Sequence, residues 1–186
     1  MRKLKLQVQV SVDGYMSGAN GEMDWMTLPW DEECSAYVTS LSDGVDTIVL
    51  GRKLAEGFIP HWASGPADEP QEAVDAMNAT PKVVVSDSLT ESPWDNTTVV
   101  GGDLTEAFAK LKSQPGGDLI VYGGGTLVAS LIAEGLIDEL HLFVNPASVG
   151  DGLPVFPKGG TQRFRLAAAR PFACGIVALQ YEPERS

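Results

Sequence analysis

Along this chain the hydrophobic positions switch repeatedly between two periods. Leu4, Leu6, Val8, Val10 and Val12 alternate with other residues, the spacing of a strand that buries one face. Residues 46–53, 81–86 and 97–100 instead hold short continuous apolar runs, as strands buried on both faces do. Between them the spacing turns helical and predicts helices over residues 29–41, 54–62, 71–77 and 104–112, the last burying Ala107, Phe108 and Leu111. The unit around which the chain is organised runs from 117 to 145. Residues 119–122 read as a buried strand, three glycines follow, and residues 126–134 carry Leu127, Val128, Leu131 and Ile132 at helical spacing before a further strand. Strands alternating with helices imply a mostly parallel sheet joined by right-handed crossovers. After residue 140 the rhythm changes. Residues 140–144, 164–169 and 175–181 are strand-like with little helix between them, which predicts antiparallel strands at one side of the sheet. The expected fold is therefore α/β, a mostly parallel central sheet flanked by helices with antiparallel C-terminal strands. Residues 13–21, 63–70 and 149–154 read as loops rich in Gly, Pro, Asn and Asp.

A length of 186 residues with 44% hydrophobic content is enough for one well-buried core and too little for two, so residues 1–186 are expected to form a single domain. The formal charge of −12 argues against nucleic acid or an anionic membrane as a partner, and any phosphate site must be locally basic. Cys34 and Cys174 stand apart without a Cys-x-x-Cys pair, so neither a disulfide framework nor a zinc site is suggested. No metal is expected, and a reducing cytoplasm fits. The amino terminus alternates basic and apolar residues without the long apolar run of a signal or membrane span. His141, within a strand run, reads as a structural or half-exposed residue and not as a metal ligand.

Candidate chemistry gathers where strands end. Gly123, Gly124 and Gly125 permit positive φ and close approach to the backbone, and the following helix presents unpaired N–H groups and a positive dipole end, a seat for a diphosphate. Such turns also serve tight packing alone, and both readings are open. Arg52 and Lys53 follow Gly51 at a strand's carboxyl end, where ligands of open α/β sheets collect; they either grip a phosphate or are solvated charges. Ser86 and Ser88 end the next strand and either bind phosphate oxygens or close a turn. Tyr15 either points from the loop after the first strand or belongs to an ordinary turn. Trp25 and Trp30 either wall a pocket for a flat heterocycle or pack in the core. Asp31, Glu32 and Glu33 open the first helix, as complements to its dipole or as the carboxylate that protonates a substrate.

Taken in order, Ser11-Val-Asp-Gly-Tyr15, Val49-Leu-Gly-Arg-Lys53, Pro81-Lys-Val-Val-Val-Ser86, Ile120-Val-Tyr-Gly-Gly-Gly-Thr-Leu127, Gly135-Leu-Ile-Asp-Glu-Leu140 and Gly150-Asp-Gly152 give a pattern that resembles the dihydrofolate reductase fold, in the family of the reductase (carboxyl-terminal) domain of the riboflavin biosynthesis protein. The resemblance spans nearly the whole chain. It implies an NADPH-binding reductase with Gly51, Arg52 and Lys53 at the adenosine 2′-phosphate and Ser86 and Ser88 nearby. The turn from Gly123 through Gly124 and Gly125 to Thr126 would meet the diphosphate, with a cis peptide between Gly123 and Gly124. It also implies a homodimer through the carboxyl-terminal strands. Tyr15 and Tyr122 stand where the riboflavin-pathway reductases usually carry Lys and Glu, and Leu54 stands where folate reductases carry a hydroxyl. The expected activity is hydride transfer from NADPH to a small heterocyclic or carbonyl substrate held among Asp13, Tyr15, Trp25 and Trp30, with Asp31 preferred and Glu32 next as the acid. Its rivals are the 5-amino-6-(5-phosphoribosylamino)uracil reductase of riboflavin biosynthesis and a nucleotide-binding regulatory module without catalysis.

Overall fold

A computed structural model of the protein describes residues 1–184. The alternating amino-terminal run forms β1 (Leu4–Ser11), followed by β2 (Tyr15–Gly18), α1 (Glu32–Ser40), β3 (Val45–Gly51), α2 (Arg52–Ala63), α3 (Gln71–Ala79) and β4 (Lys82–Val85). The second half holds β5 (Thr97–Val100), α4 (Leu104–Ser113), β6 (Asp118–Val121), α5 (Gly125–Ala133), β7 (Glu139–Asn145), β8 (Gly152–Pro154), β9 (Phe164–Pro171) and β10 (Val177–Pro183).

The main sheet has eight strands in the order β5-β4-β3-β6-β1-β7-β10-β9. Pairing is parallel from β5 through to β7 and antiparallel at β7–β10 and β10–β9. The expected α/β architecture is what the chain adopts, with one correction. Of the three late strands predicted to be antiparallel, β7 lies parallel to β1, with Leu6 opposite Leu140 and Ser11 opposite Asn145. Helix α5 carries the chain back across the sheet before β7 begins, so β7 continues the crossover series. A second correction concerns two predicted loops, within which β2 and β8 pair as a two-stranded ribbon, Gly18 opposite Gly152.

Leu4, Leu6, Val8 and Val10 of β1 lie on one face of the sheet against Phe108 and Leu111 of α4 and Leu127, Val128, Leu131 and Ile132 of α5. Each such side chain, fully buried, contributes about 1.5–3 kcal/mol. The opposite face packs Ile48, Leu50, Val84 and Ile120 under α2, and Phe143 and Ala178 under α1. His141 also lies on the α1 side. It is buried, with Nε2 at 3.2 Å from Glu139 Oε2.

The amino ends of the strands are closed by ion pairs. Arg2 pairs with Asp46 and donates to Thr47 Oγ1 at 2.7 Å. Lys112 pairs with Asp138, which also accepts from the Leu4 N–H at 2.8 Å. Charges this buried persist only when paired. Among the described residues the carboxyl ends carry no comparable network across β4, β3 and β6, and there the loops and helix starts leave backbone donors available. Among the described residues no helix is long and apolar enough to cross a membrane.

Candidate cofactor and substrate site

Strand register brings the predicted residues to one edge of the sheet. Gly51 is opposite Val85, so Arg52 and Ser86 follow the ends of neighbouring strands. Val121, opposite both Val49 and Leu6, leads into the glycine turn between them. Gly123 and Gly124 take φ of +143° and +88°, conformations that side chains oppose. Gly124 is the N-cap of α5 and Gly51 the N-cap of α2, and neither helix has a side-chain cap. The two caps are neighbours: a Cβ added to Gly124 would lie 3.8 Å from the Gly51 nitrogen. Two positive helix ends with unpartnered N–H groups thus sit side by side, an arrangement that attracts an anion. The Gly123–Gly124 peptide, expected to be cis, is trans; Leu28–Pro29 is the cis peptide among the described residues.

Arg52 and Lys53 occupy the first turn of α2, not the strand end, and that turn has no acidic residue. Cations at a helix amino terminus oppose the dipole unless an anion lies between. Arg52 meanwhile pairs with Glu56 one turn on, a partly exposed contact that costs little to break. Ser86 Oγ lies 3.1 Å from Ser88 Oγ and accepts from the Ser88 and Leu89 N–H groups, both at 3.2 Å, so this hydroxyl closes its own turn. Thr126 is exposed in the first turn of α5. Tyr122 turns away from the edge, stacked on Phe58 of α2 at 6.0 Å, and burial raises its hydroxyl above the usual tyrosine range.

The other end of the edge is held by side chains. Asp13 accepts from Ser11 Oγ at 2.6 Å, Ser148 Oγ at 2.8 Å, the Val149 N–H at 3.1 Å and the Gly150 N–H at 2.8 Å. The Ser11 hydroxyl, with the Gly150 and Val149 amides, holds its carboxyl well below the usual carboxylate range. Asp13, predicted to face substrate, therefore latches the loop after β1 to the loop after β7. Tyr15 starts β2, half-buried, its N–H donating to Ser11 Oγ at 2.9 Å. Trp25 Nε1 donates to the Glu22 carbonyl at 3.0 Å, while Trp30 packs against the apolar cluster of Cys34 and Phe143, the core reading of that residue.

The first helix begins later than predicted, at Glu32, because Asp31 is its N-cap. One Asp31 oxygen accepts from the Cys34 N–H at 2.8 Å and the other from the Cys174 N–H at 2.7 Å. These amides, Cys34 first, lower its pKa. A carboxyl held ionised by two backbone donors is poorly suited to give up a proton, and the structure gives Asp31 the task of tying α1 to the turn between β9 and β10. Glu32 and Glu33 are exposed on the first turn of α1.

Asn145, not singled out in the sequence, is fully buried at the end of β7. Its amide donates to Gln9 Oε1 at 2.8 Å and to the Phe143 carbonyl at 3.0 Å, and its Oδ1 accepts from the Thr27 N–H at 2.8 Å. The tryptophan-containing segment is thereby pinned to the sheet. The one available signal was an Asn closing an apolar strand run.

The chain is 30% identical over 185 residues to the uncharacterized protein YyaP of Bacillus subtilis (strain 168), covering 97% of this chain and 94% of that protein. Its fold superposes on that of a candidate riboflavin biosynthesis protein from Shewanella sp. PV-4 with a TM-score of 0.77 at 24% identity, covering 100% of both chains. It also superposes on Enterococcus faecalis dihydrofolate reductase complexed with NADP(H) and RAB-propyl, with a TM-score of 0.65 at 17% identity, covering 98% of this chain and 97% of that one. Residues 2–178 match the RibD C-terminal domain, and the chain belongs to that family.

Proposed function

We propose that this protein is an NADPH-dependent reductase that transfers a hydride to a small heterocyclic or carbonyl substrate. The observation that carries the reading is the proximity of the N-caps of α2 and α5, Gly51 beside Gly124, next to Arg52 and Lys53. When bound, NADPH supplies the hydride. Gly123, Gly124, Gly125 and Thr126 would offer backbone N–H groups to the diphosphate, and Arg52 and Lys53 would meet the 2′-phosphate, with the exposed Ser88 hydroxyl on the turn that Ser86 closes. The absence of side chains at the turn is what lets a diphosphate reach the backbone. That a dihydrofolate reductase of the same fold is complexed with NADP(H) supports the choice of cofactor.

The substrate end lies between Tyr15, Trp25 and the start of α1, framed by the Asp13 and Asn145 anchors, which hold the walls in position and limit water entry. With both oxygens of Asp31 engaged, the proton that accompanies the hydride comes from solvent at the mouth beside the exposed first turn of α1. The uncovered edge strand β9, with Leu166 half exposed, supports a homodimer built on the carboxyl-terminal strands. NADPH oxidation measured against pterins, ribosylaminopyrimidines, quinones and aldehydes, together with direct titration of NADPH, tests the reading. Turnover of one class is expected. Tight NADPH binding with no oxidation across the panel would replace the enzyme with a nucleotide-binding module, and turnover confined to the ribosylaminopyrimidine would identify the riboflavin-pathway reductase.

A further inference from the structure

We propose that Cys34 and Cys174, the two cysteines of the chain, form a reversible intramolecular disulfide that locks the start of α1 to the turn between β9 and β10. The inference does not depend on the reductase reading. Asp31 takes the Cys34 N–H on one carboxylate oxygen, at 2.8 Å, and the Cys174 N–H on the other, at 2.7 Å. A single carboxylate spanning both amides draws the two backbones together, as a disulfide between them requires. The side chains are also neighbours: Cys174 packs against the apolar cluster that contains Cys34. Neither is paired elsewhere: both are free, Cys34 buried and Cys174 partly exposed.

The asymmetry between the thiols orders the chemistry. Burial, with the Cys174 thiol beside it, pushes the Cys34 thiol up to about 12, so Cys174, the one open to solvent, meets the oxidant first. The oxidant is a low-molecular-weight disulfide. The Cys174 sulfur, having lost its proton, attacks one sulfur of that disulfide; the S–S bond breaks, a mixed disulfide forms on Cys174, and one small thiol leaves. The Cys34 sulfur then loses its proton and attacks Cys174 Sγ, forming the Cys34–Cys174 bond and releasing the second small thiol. Two protein thiols are oxidised and one small disulfide is reduced. The bridge lies next to Trp30 and Asp31, so the entry into α1 becomes responsive to thiol–disulfide poise.

Oxidised glutathione added to the reduced full-length chain, followed by intact mass measurement, tests this. Loss of two hydrogen atoms is expected, with the Cys34 and Cys174 peptides joined in a non-reducing digest and released by dithiothreitol. Cys174→Ser, at a half-exposed position, should show no such loss and no adduct at Cys34. Cys34→Ser, where it folds, should stop at a stable glutathione adduct on Cys174. In the wild-type chain, a persistent adduct on Cys174 with Cys34 still open to alkylation after unfolding, or a bridge found only between two chains, would overturn the proposal. Amide exchange across residues 31–35 should slow in the oxidised form, and unchanged exchange would overturn the lock.

Discussion

The two halves of one sheet edge are built by opposite means. Where β3 and β6 end, the chain withholds side chains: Gly51 and Gly124 cap helices without a side-chain acceptor, and only a methyl-sized gap separates them. Where β1 and β7 end, polar side chains are saturated with partners, Asp13 bridging two loops and Asn145 binding Thr27, Gln9 and the Phe143 carbonyl. Unsatisfied donors are tolerable at the first place only because they are open to solvent or to an anion. At the second, a buried polar group without a partner would cost the full price of its desolvation. In the proposed reading the first region receives a ligand and the second holds its own walls still. Substitutions should therefore separate binding from stability along this edge.

Gly124→Val is the most severe test of the difference. A β-branched residue at φ of +88° is strained and covers the N–H groups of α5. NADPH affinity should fall at least ~100-fold, ~2.7 kcal/mol, in a protein that circular dichroism finds folded. Unchanged affinity in the folded variant would remove the anion seat from the reading. Asn145→Ala should do the reverse. It strands the Thr27 N–H and the Gln9 side chain, lowering stability by about 2 kcal/mol in urea unfolding while NADPH affinity stays nearly constant. If instead affinity collapsed and stability held, the division of labour proposed for the two regions would be reversed.

These two regions also differed in how far the sequence revealed them. The glycine turn was readable because its signal is local: a buried strand, missing side chains and a helical period follow one another within a few residues. The latch was not, since Asp13 meets Ser148, Val149 and Gly150 across most of the chain, and nothing in the spacing of either segment announces the other. Asp31 has the same cause, because the amide that helps to neutralise its role as an acid belongs to Cys174. The β2–β8 ribbon joins strands of four and three residues, too short for alternation to register. The direction of β7 was missed because period reports burial and says nothing of orientation, whereas the helix before it does.

Arg52→Ala sharpens the comparison within the binding half. Wild-type protein should hold NADPH at least about tenfold more tightly than NADH, about 1.4 kcal/mol, since a 2′-phosphate adds charge that a chain of net −12 repels unless fixed cations meet it. The variant should lose most of that preference and keep its NADH affinity, and added salt should weaken NADPH more than NADH. Breaking the Arg52–Glu56 pair removes little stability, because exposed pairs contribute about 0–1 kcal/mol. Equal affinities in the wild type would remove the 2′-phosphate assignment from Arg52 and Lys53 while leaving the glycine turn untouched.

The smallest effect lies at the far end of the side-chain-saturated half, where the comparison extends to the amino edge of the sheet. Glu139 accepts from Lys3 Nζ at 2.6 Å and lies 3.2 Å from His141 Nε2. The His141 hydrogen bond, then Lys3, outweigh the opposing effect of burial and bring its carboxyl down from 4.5 to about 2. A carboxyl depressed on folding binds its proton more tightly in the unfolded chain. Its contribution to stability is therefore complete above about 4.5, and is lost as pH falls toward about 2. Asp13, Asp31 and Asp46 are also depressed and lose stability over acid pH, so the total slope cannot be assigned to one residue. The difference between wild type and Glu139→Gln can. Urea midpoints should differ most near neutrality and converge between pH 4.5 and about 2, because protonation turns the wild-type carboxyl into a neutral group like the Gln that replaces it. A gap that stays constant through that window would mean the Glu139 carboxyl is not depressed on folding, and that this half of the molecule is held by the geometry of its hydrogen bonds without a net contribution from the charge.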